Sequence, residues 1–119
     1  MLKVQFDGDV LAVRPDGPIT REDVDTLTRT ADEYLADHPK IAGVMVETRA
    51  FAGYTSMGAF ADYARFIAGH RARIRRIALV TDSALAPVAE FMANHVVGLQ
   101  MRHYPFAEGA AAQAWRRSP

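Results

Sequence analysis

Thr55 and Ser56 stand side by side just before an apolar run that begins at Met57, a place where a hydroxyl has two uses. The free N–H groups and dipole of a helix start favour negative charge, so either residue could accept a phosphate or hold an anion. Capping alone also accounts for both, because Ser and Thr are favoured at helix starts. A second cluster is cationic. Arg65, Arg71, Arg73, Arg75 and Arg76 crowd a stretch with no acid between Asp62 and Asp82. Arg71 and Arg73 are candidates for binding an anionic head group, although arginines at a turn from helix to strand are usually just solvated.

The remaining polar residues point to no reaction. His38, His70, His95 and His103 show no metal-ligand spacing. The carboxylates concentrate on one helix and in turns, so no acid and base are paired by the sequence. There is no Gly-x-Ser-x-Gly elbow, no phosphate-cradling glycine loop and no dinucleotide fingerprint. The absence of cysteine removes thiolate chemistry, thiolate zinc sites and disulfides together. No catalytic residue, metal or cofactor is expected, and the chain reads as non-enzymatic. Its 14 basic and 14 acidic residues cancel, which argues against a nucleic-acid binder. The cancellation hides an asymmetry: residues 1–62 carry 11 acids and 6 bases, residues 63–119 carry 3 acids and 8 bases.

The apolar residues say more. From Ala84 to Val97 only Glu90, Asn94 and His95 interrupt, and Leu85, Val88, Phe91, Met92 and Val96 would cover more than half of a helix circumference. That is too apolar for a freely exposed surface helix. In the preceding helix Met57, Phe60, Ala61, Ala64 and Ile67 trace a core stripe, with Phe66 well off it and Tyr63 at its edge. Phe60, Phe66, Leu85, Val88, Phe91 and Met92 are therefore candidates for a cavity wall, a subunit interface or a membrane contact. A wide core contact explains them equally well.

The elements that must position these residues follow from the pattern. Leu2 to Phe6 and Val10 to Arg14 are β-prone runs joined by Asp7-Gly8-Asp9, an antiparallel hairpin. Thr20 and Asp23 form a variant capping box that starts a helix near Arg21, amphipathic to Asp37 and ended by His38-Pro39. Ile41 to Val46, ending at Glu47, reads as a central strand covered on both faces. After a loop at residues 48–55 comes the Met57 helix, ending at Gly69, then a buried strand from Arg75 to Thr81. Asp82-Ser83 can cap a helix from Leu85 to His95, with Pro87 tolerated in its first turn. Leu99 to Tyr104 is a last strand, and Glu108 to Arg117 a terminal helix carrying Trp115. The order ββαβαβαβα implies an α/β fold with a mostly parallel five-stranded sheet, flanking helices and an antiparallel N-terminal hairpin strand. At 119 residues, one domain spanning 1–119 is expected. No stretch approaches the roughly 18 apolar residues of a membrane span, so a cytoplasmic protein, at most peripheral at a membrane, is expected.

That order, with Arg73-Ile74-Arg75-Arg76-Ile77-Ala78-Leu79-Val80-Thr81-Asp82, then Arg102-His103-Tyr104-Pro105-Phe106, Glu108 and Ala114-Trp115, resembles the SpoIIAA-like family over nearly the whole chain. Its members are similar in fold to STAS domains and Sec14-type lipid-binding domains. The resemblance implies a non-enzymatic role: binding an apolar ligand or lipid, a protein partner or a membrane surface, often as a homodimer. It also suggests an alternative, a regulator of the anti-sigma-factor-antagonist type, controlled by phosphorylation of a serine in an Asp-x-Ser-Gly-like turn. The matching place is Glu47 to Met57. Thr55 and Ser56 are present there, but the Asp-Ser-Ser/Thr-Gly pattern is missing.

Overall fold

The computed structural model describes residues 2–50, 53–84 and 86–117, without the side chains of residues 96, 97, 116 and 117. Its five strands are β1 (Leu2–Asp7), β2 (Val10–Pro15), β3 (Gly43–Glu47), β4 (Ile77–Val80) and β5 (Met101–Tyr104), and its helices are α1 (Arg21–Leu35), α2 (Met57–His70), α3 (Ala86–Met92) and α4 (Gly109–Arg117). The strands lie in the order β1-β2-β3-β4-β5. β1 is antiparallel to β2 and the other neighbours are parallel, as the alternation of strands and helices implied.

Local chemistry explains where the elements begin. Asp7 pairs with Val10 across a two-residue turn. Gly8 takes its first position with φ of 67°, a left-handed angle that glycine adopts without steric cost. The Thr20 hydroxyl accepts the Asp23 N–H at 3.0 Å while the Asp23 carboxylate accepts the Thr20 N–H at 2.9 Å, completing the expected capping box. Ser56 rather than Thr55 caps α2, its hydroxyl accepting the Ala59 N–H at 3.1 Å.

Side chains alternate across the sheet with the period of two that strands impose. Leu11, Val13, Val44 and Ile77 face one layer; Val10, Met45, Ala78 and Val80 face the other. Three right-handed crossovers that all advance in the same direction put α1, α2 and α3 on one face. α4 covers the other, packing over β3, β4 and β5. Arg76, buried at 9% exposure, helps seat it: its Nη1 donates to the Trp115 carbonyl at 2.8 Å and its guanidinium lies 5.2 Å from the Trp115 ring centroid.

Two expectations are corrected. The buried face of α2 is not the Met57, Phe60, Ala61, Ala64 and Ile67 stripe as a whole: Phe66 is 7% exposed, whereas Met57 is 81% and Phe60 49% exposed, Ala64 is exposed, and of that stripe only Ala61 and Ile67 are half-buried. Two side-chain contacts with α1 fix this rotation. Arg21 reaches Asp62 at 2.8 Å and His70 reaches Asp32 at 2.6 Å, so the side of α2 that carries Asp62 and His70 turns to α1. The third helix also does not run regularly to His95. α3 ends at Met92 and a wider π-helical turn follows from Ala93 to Val97, closed by Gly98 with φ of 83°.

The rotation of α2 is testable by unfolding. Phe66→Ala should cost about 3–5 kcal/mol by leaving a void in the core, and exposed Val88→Ser should change stability by less than about 0.5 kcal/mol. Urea midpoints for the two variants check this; comparable losses would place Phe66 on the surface.

Candidate functional site

Strands lay a flat apolar floor and helices a ridged cover, and the two leave a cavity of about 200 Å³ between the sheet and α1–α3. Leu11, Val13, Val44, Val46, Ile77 and Leu79 form its floor. Val24 and Leu27 of α1, and Tyr63, Phe66 and Ile67 of α2, wall it on one side. α3 presents only Ala86 and Ala89, and these methyl groups do not reach far enough to fill the space opposite the rings of α2. The cavity is a consequence of that mismatch in side-chain size.

Its polar lining is small. Thr48, Thr81 and Ser83 stand just beyond the C-terminal ends of β3 and β4, where open α/β sheets generally receive their ligands. The Thr48 hydroxyl donates to the Ala50 carbonyl at 3.1 Å, and the Thr81 hydroxyl accepts the Ser83 N–H at 3.2 Å. Tyr54 and Tyr63 also line the space, with ring centroids 5.7 Å apart. Burial pushes both phenols above their usual range, because the phenolate loses its hydration, and the neighbouring Tyr63 adds to the effect on Tyr54. Among the described residues, the Tyr63 hydroxyl makes no hydrogen bond.

The structure divides the sequence candidates. Phe66 belongs to the cavity wall. Val88, Phe91 and Met92 face away from it, at 59%, 59% and 45% exposure, and Phe60 is also exposed, its ring edge-on to Tyr54. Leu85 lies outside the described residues, as does the side chain of Val96. Thr55 and Ser56 are exposed; the Thr55 hydroxyl donates to the Ile19 carbonyl at 3.3 Å. Arg71 is exposed in the turn after α2. Arg73 donates to the carbonyls of Leu35, His38 and Pro39, each at 3.1 Å. It satisfies the last carbonyl of α1 and two carbonyls of the segment that follows, a structural role that explains its presence without an anion. Among the described residues no three His, Asp or Glu side chains converge to hold a metal ion.

Residues that the sequence reading passed over hold α3 in place. β5 is an edge strand, and its outward backbone groups are met by side chains of this helical segment. Asn94 donates to the Met101 carbonyl at 2.8 Å and accepts the Met101 N–H at 2.9 Å. Glu90 accepts the His103 N–H and the His103 Nδ1–H, both at 2.7 Å. Asn94 thus imitates a neighbouring strand, and Glu90 extends the imitation by two residues. The only trace of this in the sequence is a polar pair at i and i+4 in an otherwise apolar stretch.

Residues 10–117 match the SpoIIAA-like family model. The chain belongs to the SpoIIAA-like family. A solved structure from Shewanella loihica PV-4, an uncharacterized protein from the DUF3478 family with a SpoIIAA-like fold, superposes on it with a TM-score of 0.78. The two share 21% sequence identity over 97% of this chain and 91% of that one, a likeness of fold. No curated protein matches. Among the described residues of this SpoIIAA-like chain, no helix is long and apolar enough to cross a membrane.

The attachment of α3 should respond to acid. Burial alone would raise the Glu90 carboxyl, but the His103 N–H, the His103 ring and nearby Arg102 outweigh it and hold the group below the usual glutamate range. A lowered folded-state pKa gives stabilisation that is present above the unfolded value, about 4.3, and lost as pH falls through the folded one. The His103 amide proton, followed by NMR, should keep its hydrogen-bonded shift at neutral pH and lose it with a midpoint below about 4.3. A midpoint at or above that value would contradict the attachment described.

Proposed function

We propose that this protein is a non-catalytic binding module that takes one small apolar molecule into the cavity beneath α1, α2 and α3. The observation that supports this reading is the cavity itself, about 200 Å³ and walled almost entirely by aliphatic and aromatic side chains. Cavities of roughly 150 Å³ with such walls stay dry and accept benzene. The space is smaller than the roughly 300–1,000 Å³ usual for drug-sized ligands, so it suits a ring or one short chain rather than a two-chain lipid. Transfer of a seven-carbon hydrocarbon from water, at about 0.8 kcal/mol per carbon, supplies about 5 kcal/mol, enough for a Kd near or below about 1 mM.

A second reading is control by phosphorylation at Ser56, and one observation favours it. A Cβ on Gly58 would stand 3.0 Å from Nη1 of Arg21, so a guanidinium lies against the first turn of the helix that Ser56 caps. A phosphate there would meet both the helix N-terminus and a cation. Intact mass of protein isolated from its native cell distinguishes the cases: an added phosphate on the Thr55-Ser56 segment supports this reading, and unmodified protein counts against it.

The cavity reading is tested by titrating toluene into ¹⁵N,¹³C-labelled protein. Methyl signals of Ala89, Ile77 and Leu79 should shift together with a Kd of about 1 mM or lower. Ala89→Phe, which fills the space, should abolish the shifts while the protein remains folded, and Phe91→Asp on the outer face should leave them intact. Shifts confined to Val88, Phe91 and Met92 would refute the cavity as the binding place.

A further inference from the structure

The walls of the cavity constrain the polar end of whatever fills it. We infer that the ligand is an uncharged molecule, mostly hydrocarbon, whose single hydrogen-bond-accepting oxygen is held by the hydroxyl of Tyr63. This deepens the cavity reading proposed above and rests on it. Among the described residues, no Asp, Glu, Lys, Arg or His side chain lines the space. A carboxylate or phosphate drawn inside would give up its hydration with no opposite charge to replace it, which is the costliest form of burial. A free fatty acid in its ionised form and a phospholipid head group are therefore excluded from the interior.

The hydroxyls present narrow the chemistry further. Thr48 is already engaged with the Ala50 carbonyl, and Thr81 accepts the Ser83 N–H. Tyr54 and Ser83 have partners of their own. Tyr63 differs: it lines the cavity from the middle of α2 and makes no hydrogen bond among the described residues. A tyrosine phenol is protonated at neutral pH, so it presents a donor. A neutral ketone, ester or ether oxygen complements a lone donor in an apolar wall, whereas a pure hydrocarbon leaves it unsatisfied.

The test uses the full chain, unaltered and as Tyr63→Phe, with three probes of similar length: 2-heptanone, n-heptane and heptanoate at pH 7. The hydroxyl deletion should weaken 2-heptanone about fivefold, as loss of one neutral hydrogen bond does, and leave n-heptane unchanged or tighter. Heptanoate should bind neither protein. The carbonyl ¹³C signal of labelled 2-heptanone should lie further downfield when bound to the unaltered chain than when bound to the variant, a readout independent of any change in stability. An equal effect of Tyr63→Phe on ketone and alkane, or heptanoate binding as tightly as the ketone, overturns the inference while the cavity reading stands. Failure of the unaltered chain to bind either neutral probe removes both.

Discussion

Sequential strand order is the constraint from which the other features of this molecule follow. Because the parallel strands advance from β2 to β5 without reversal, right-handed connections force α1, α2 and α3 onto a single face. Five strands at about 4.8 Å spacing span about 19 Å between outer axes, and three helices at about 10 Å spacing require about 20 Å. The helices just fit, and the last of them sits at the margin of the sheet. There it offers alanines inward and turns Val88, Phe91 and Met92 outward. The cavity and the outer apolar face lie on opposite sides of this one helix.

The polar groups around α3 solve a different problem at the same place. A helix that buries only methyl groups gains little from packing, and an edge strand leaves backbone groups without partners. Glu90 and Asn94 address both by bonding the backbone of β5 at Met101 and His103. The helix is held by hydrogen bonds where hydrophobic contact is thin. This makes one wall of the cavity depend chiefly on polar contacts, while the α1 and α2 walls depend on apolar packing as well as on the Arg21–Asp62 and Asp32–His70 contacts.

Much of the architecture was legible because its determinants are local. The Thr20–Asp23 box, the Asp7-Gly8-Asp9 turn and the apolar runs around Val44 and Ala78 each carry their cause within a few residues. The rotation of α2 was not legible, since Met57, Phe60, Tyr63, Phe66 and Ile67 make nearly every face of that helix apolar. What selects among those faces is a pair of contacts with residues 41 and 38 positions away in sequence. The roles of Arg73 and Glu90 were hidden for the same reason: a guanidinium on distant carbonyls and a carboxylate on a strand edge look like solvated charges until the chain is folded. Tyr63 was visible only as a residue at the border of a stripe, because an unsatisfied hydroxyl is a property of surroundings that periodicity does not encode.

The imitation of a strand by Asn94 and Glu90 also limits how copies of this sheet can join. Three outward backbone groups of β5, the Met101 N–H and carbonyl and the His103 N–H, are occupied, while β1 has a strand partner on one side only. A sheet open at both margins can add molecules without end. One that is open at a single margin can join only one other copy there, after which both open margins are used and growth stops. The side chains that hold α3 in place therefore make strand addition self-terminating, and a chain that lost them would be able to propagate.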